Sequence, residues 1–282
     1  MEIKAPTFSR TDKNQFFKTL NKRVNEYFKE HNIDKTGNWK LHLKAIIMFA
    51  LFFVPFFVIF FIKVPVLVYI LASVVIGIGM AGVGMNVMHD GNHGSYSSKT
   101  WLNKIMGGSI YIVAGNVYNW QVQHNVLHHT YTNIPGHDED LDAGRVIRFT
   151  KEATWYKFHA FQHYYSIFLY GLLTINWCLT TDFKQMGVYL KRKLSYGSEP
   201  NPTNLWTGLV ISKIVYFGFW IVLPLIFGAA SWWVILLGFF AMHYTAGMIL
   251  SIVFQLAHIT EDTINPHPNE NGEIENTWAI HQ

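Results

Sequence analysis

The sequence predicts an all-α integral membrane protein with four transmembrane helices arranged as two hairpins. Composition is the first reason. Charged residues make up 14% of the 282, against roughly 25% in an ordinary soluble domain, while 50% are hydrophobic and 16% aromatic, more apolar surface than one soluble core of this length covers. The second reason is where the charges are missing: no Asp, Glu, Lys or Arg falls in Ala45–Ile62, Val64–His89, Phe158–Thr181 or Ile214–Thr260. A helix needs about 20 apolar residues to cross the hydrocarbon layer. The same composition excludes a disordered, coiled-coil or fibrous chain, and the single cysteine, Cys178, excludes an intramolecular disulfide.

Residues 1–44 read as a cytoplasmic N-terminus whose stretch Asn14–Glu30 places Phe16, Phe17, Leu20, Val24, Tyr27 and Phe28 at helical spacing. That pattern is an amphipathic helix lying on the membrane or on the cytoplasmic domain. Residues 45–88 form the first hairpin, with Pro55 and Pro65 in or beside it. Membrane helices tolerate such prolines. Residues 89–208 form a cytoplasmic region and 209–254 a second hairpin, because the longest charge-free block holds two spans around Gly228-Ala229-Ala230-Ser231. Residues 255–282 return to the cytoplasm. Tyr165–Thr181 is short, carries Asn176 and follows His159, Gln162 and His163, so it is expected to lie along the interface without crossing.

Lys and Arg set the orientation: ten lie in residues 1–44 and ten between Lys99 and Lys193, against Lys63 alone in the first turn and none in the second. Cationic segments stay inside. The first 40 residues are polar and charged, unlike a cleavable signal sequence, and no repeat or low-complexity tract stands out. Trp101, Trp120 and Trp155 suit either an interfacial belt or core packing.

Fourteen histidines make a bare H-x-x-x-H expected about once by chance. Both His89/His93 and His159/His163 have that spacing. The triple His124, His128, His129 is rarer, with roughly one chance in thirty. On an α-helix, His124 and His128 would converge on one ion while His129, a further 100° or so round, reaches a neighbouring one. Imidazole suits iron, zinc, copper and nickel alike. The predicted topology brings His89, His93, His124, His128, His129 and His258 to one cytoplasmic membrane face. His159, His163, His31, His42, His243, His267 and His281 read as ordinary hydrogen-bonded residues. The run His137-Asp138-Glu139-Asp140-Leu141-Asp142 lacks the spaced pattern of a calcium loop and reads as a solvated loop or a shell that orients ligands.

The runs His89-Asp90-Gly91-Asn92-His93 and His124-Asn125-Val126-Leu127-His128-His129 resemble the first two histidine boxes of the membrane fatty-acid desaturases. The resemblance is closest to the front-end and bacterial acyl-CoA (linoleoyl-CoA-like) type. It extends through Pro135-Gly136-His137-Asp138-Glu139-Asp140, Trp155 to Asp182 and Gln255-Leu256-Ala257-His258. It implies two non-haem iron ions (Fe2+/Fe3+) in a cytoplasmic helical cap, with His258 as a further ligand and O2 as co-substrate. Asp90 and Asn92, interleaved with the first box, would orient its rings, and Arg145, Arg148 and Lys151 would contact an anionic head group of an acyl-CoA or acyl-lipid. The family's third box, Q-x-x-H-H, does not occur before Gln282, so the chain reads as truncated ahead of it and is expected to insert but not to turn over. No H-P-G-G haem motif precedes the spans, so electrons are expected from a separate carrier of cytochrome b5 or ferredoxin type.

The expected partners are thus an acyl substrate, that donor and the bilayer, with no nucleic acid, and the location a bacterial inner membrane. The expected function is an O2-dependent fatty-acyl desaturase, with a hydroxylase on the same scaffold as the alternative. A metal transporter would need ionisable residues inside the spans, and His243 is the only one between Lys213 and His258.

Overall fold

The computed structural model describes residues 5–11, 15–141, 144–197, 199, 201–260 and 263–282, with the side chain of His258 outside the described set. Four helices are long and apolar enough to cross a membrane: Trp39–Phe61, Val66–Asn92, Pro202–Phe227 and Trp232–Ala257. The four-helix expectation therefore holds, and the chain is a helical membrane protein. The chain divides into two compact units.

The larger unit comprises residues 36–122 and 163–257 and contains all four spans. The first span starts where Asn38 accepts a hydrogen bond from the Lys40 amide at 3.0 Å, a side-chain cap for an amide that the helix leaves open. Pro65 precedes the second span, and Asn201 caps the third on the Asn204 amide at 3.1 Å. The second hairpin turns at Gly228, as its sequence predicts.

Between the spans, glycine lets backbones approach. A Cβ on Gly79 would lie 2.5 Å from the Phe52 amide nitrogen, and one on Gly77 2.5 Å from the Met242 carbonyl oxygen, so the second span packs closely on the first and the fourth. Phe52 and Phe56 pack on Trp220 of the third span. These residues form a core with Ile76, Met80, Met242 and Ala246, while Ile46, Phe61, Leu67 and Ile214 stay exposed on the outside, as lipid-facing side chains do.

Several polar groups buried in this unit pair with one another. Lys213, inside the third span, donates to the Ala114 carbonyl at 2.5 Å and to the Asp182 carboxylate at 2.5 Å, and Asn119 donates to the same aspartate at 3.2 Å. His243, fully buried in the fourth span, holds Thr174 and Tyr216. The Thr174 hydroxyl donates to the His243 carbonyl, so it accepts from Nδ1–H, and Nε2 accepts from the Tyr216 hydroxyl at 2.8 Å. The structural reading of His243 stands.

The stretch expected along the interface is broken. Gln162–Tyr170 ends in a turn at residues 171–172, and helix resumes at Leu173. Tyr244 and the Tyr170 carbonyl's partner Ser251, both in the fourth span, press on that turn, where a Cβ on Gly171 would meet the Tyr244 ring at 2.3 Å. The helix that resumes at Leu173 continues to Lys191 and carries Asp182, Lys184 and Lys191, and it is not among the four helices apolar enough to cross a membrane.

The smaller unit comprises residues 1–35, 123–162 and 258–282. Strand Thr7–Phe8 pairs in parallel with Glu273–Ile274, Thr7 opposite Glu273. The predicted amphipathic helix spans Phe16–Glu30, and a four-residue helix, Trp278–His281, ends the unit.

Candidate metal centre

Both histidine runs lie in or directly after π-helical turns, Val83–Met88 before His89 and Gln121–His128 through the second run. A π-helix bonds residue i to i+5 and recurs at functional sites. That periodicity alters the expected pairing. His124 and His129, five apart, bring their Nε2 atoms to 3.2 Å, whereas His124 stacks flat on His128 with ring centroids 5.4 Å apart. His124 and His128, expected to converge on one ion, do present donor atoms within 4.8 Å of one another, and the π-turn brings His129 to His124 as well.

The 3.2 Å separation fits metal ligation. Two metal–nitrogen bonds of about 2.1 Å each bridge anything up to roughly 4 Å. His124, His128 and Asp140 also present one donor atom each within 4.8 Å of one another. His128 is 2% exposed, and its Nδ1 lies 3.0 Å from Asp138 and 3.2 Å from Asp140. Asp138 is anchored in turn by the Asn133 and Asp140 amides, and Gln123 donates to Asp140 at 2.5 Å. A ring whose Nδ1–H faces carboxylates leaves Nε2 as the lone-pair nitrogen, the tautomer a metal takes. Burial opposes charge on His128, but its hydrogen bond to Asp138 and the charges of Asp140 and Asp138 outweigh it, and its pKa is raised. Burial likewise pushes Asp140 up to about 6, with Asp138 and Glu139 adding to the push and His128 pulling back. Within the acidic run, Asp138 and Asp140 face the His128 ring and do not form a purely solvated loop; Asp142 lies outside the described residues.

The end of the smaller unit backs this helix. Trp278 Nε1 and Gln282 Nε2 donate to the His129 carbonyl at 3.2 and 3.3 Å, and His281 donates to the Thr132 carbonyl at 2.7 Å. Thr132 itself donates to the His128 carbonyl at 2.7 Å. The backbone of the second run is thereby fixed on three sides.

In the larger unit, the rings of His89 and His93 sit edge to face at 4.5 Å. The buried indole of Trp120 lies 5.6 Å from each. Trp120 suits belt or core by sequence, and its place beside the two imidazoles is not visible from spacing. Asp90 reaches His89 Nδ1 only at 3.4 Å. Asn92 is buried and tied to the Met88 and Gly107 carbonyls and to Gln121, so it holds the helix of the first run. His258 ends the fourth helix with its side chain outside the described residues.

The proposed head-group cations divide. Arg145 and Lys151 are exposed. Arg148 is not available, because its guanidinium donates to the Ala153 and Lys151 carbonyls and holds its own loop. His159 accepts from the Tyr156 amide and donates to the Arg145 carbonyl, while His163 is exposed in the following helix.

Four spans and two groups of convergent imidazoles define a class: helical membrane proteins equipped to hold metal. The profile of the fatty acid desaturase family matches residues 65–281, and the chain belongs to that family. It is 32% identical over 270 residues to the sn-1 linoleoyl-lipid 6-desaturase of Arthrospira platensis, covering 95% of this chain and 72% of that protein. The sn-1 linoleoyl-lipid 6-desaturase of Synechocystis sp. is 33% identical, with 96% and 75% covered. The acyl-lipid (8-3)-desaturase of Physcomitrium patens is 30% identical, with 98% and 57% covered. No solved structure matches. The chain is thus a fatty-acid desaturase by family, an oxidoreductase of lipid metabolism.

Proposed function

We propose that this chain is an O2-dependent acyl-lipid desaturase whose metal centre uses His89, His93, His124, His128, His129 and His258 and faces the cytoplasm. The observation that carries the reading is the buried His128–Asp138 contact beside the 3.2 Å His124–His129 pair, in a chain of the desaturase family. The lipid-linked form of the substrate rests on the names of the two cyanobacterial relatives.

Two non-haem irons, when bound, supply with O2 the oxidising power that removes hydrogen from an unactivated methylene, which no side-chain acid or base can do. The overall balance is one –CH2–CH2– unit, one O2, two electrons and two protons giving –CH=CH– and two waters. The electrons come from a separate carrier of cytochrome b5 or ferredoxin type. The protein's own share is positional. Asp138 holds His128 in one tautomer, Trp120 packs against the rings of His89 and His93, and Trp278 and Gln282 fix the carbonyl behind His129. Exposed Arg145 and Lys151 are the residues offered to an anionic head group.

The test is a lipid profile of a desaturase-free host expressing the gene. A new double bond in glycerolipid-linked acyl chains is the expected result. Hydroxylated chains, or desaturation confined to acyl-CoA, would refute the corresponding part of the proposal.

A further inference from the structure

We propose that the helix Phe16–Glu30 is a surface anchor that lays one face into the interfacial layer of an anionic bilayer. Phe17, Leu20, Val24 and Tyr27 recur every three or four residues and so line one face, yet each is 43–53% exposed and no residue of the helix is buried. Trp278 meets the Phe17 ring edge-on at 5.7 Å and remains exposed itself, so it extends this apolar surface rather than closing it. A helix of 15 residues is marginal in water without a packed face. Its exposed apolar face is open to a further stabilising surface.

Charge identifies the occupant. Lys18, Lys22, Arg23 and Lys29 lie away from the apolar stripe against two acids, Glu26 and Glu30, of which Glu26 faces Lys22 at 3.7 Å. An apolar stripe flanked by excess Lys and Arg is the pattern of a helix lying in the plane of an anionic membrane surface. Reach favours lipid over a soluble partner. Eight residues, 31–38, separate the helix from Trp39, the first residue of the first span, so it stays within roughly 28 Å of a bilayer entry point at about 3.5 Å per residue. A surface tethered that closely is always at high effective concentration. The inference needs only the membrane spans and is independent of the chemistry proposed above.

Spin labels at single engineered cysteines test it in the full chain, reconstituted in lipid nanodiscs. Native Cys178 is buried, and the chain without an engineered cysteine serves as the blank. In discs containing phosphatidylglycerol, labels at Leu20 and Val24 should relax more with O2 than with a water-soluble nickel chelate, and a label at Lys22 should show the reverse. Replacing Lys18, Lys22 and Arg23 with Gln, or removing phosphatidylglycerol, should lower the O2 preference at Leu20 at least twofold. Labels at Leu20 and Val24 as open to nickel as an exposed loop would overturn the proposal, and labels shielded from both reagents would show a protein partner instead. An O2 preference indifferent to lipid charge would overturn its anionic part.

Discussion

Asp138 acts on the proposed centre without offering it a ligand atom of its own: its carboxylate holds His128 Nδ1 at 3.0 Å and is itself buried. Partners of this kind change metal affinity by about 10–100-fold when removed. Asp138→Asn in the full-length protein should therefore weaken iron binding by about that factor, read by competition with a chelator. His128→Ala should abolish bound iron and product, whereas His163→Ala should leave iron content unchanged, because His163 is exposed and stands outside both clusters. Equal loss in both alanine variants would reject the assignment. Cys178 allows an independent check on burial, because desolvation pushes its thiol up to about 11. At pH 8 it should resist a maleimide in the folded protein and react once the chain is denatured. The histidines were legible because their spacing is improbable by chance. Trp120 was not, because nothing in its neighbours distinguishes a tryptophan beside an imidazole from one in a core.

The ion pair of Lys213 and Asp182 joins the third span to the helix Asp182–Lys191 and, through Ala114 and Asn119, to the turn before the second histidine run. Removing one member of a buried pair leaves the other charge without compensation and costs about 3–5 kcal/mol. Lys213→Ala should lower the unfolding temperature in detergent markedly, while Lys213→Met combined with Asp182→Leu should recover much of the loss. A single variant as stable as the parent would show that the pair is solvated. At this scale the sequence was most readable where charge was absent, since all four spans fall in or overlap charge-free blocks. The first begins at Trp39, six residues before Ala45, because Asn38 caps it and the stems of Lys40 and Lys44 can run along the helix while their charges stay in water. The π-turns were invisible. An extra residue in a helical turn is retained by tertiary packing, leaves no mark on composition, and decided which histidines face each other.

The proposed orientation concerns the whole molecule: both long cationic stretches stay on one side of the bilayer, and the short turns at Lys63 and Gly228–Ser231 face the other. Single cysteines at exposed Lys99, Lys151 and Glu270 should all react with an impermeant reagent from the cytoplasmic side of sealed vesicles, and one at Lys63 from the opposite side. If Glu270 labels opposite to Lys99, an odd number of crossings lies between them and His258 cannot join the other histidines. The pairing of Thr7 with Glu273 bears on the order of events during synthesis. A nascent chain emerges from its first residue onward, so the strand at Thr7–Phe8 waits through the insertion of every span before its partner exists, as does His129 for the indole that binds its carbonyl. On the proposed assignment, loading of iron by the second histidine run is expected to follow insertion, and a full chain carrying Trp278→Ala should insert but retain less iron than the parent.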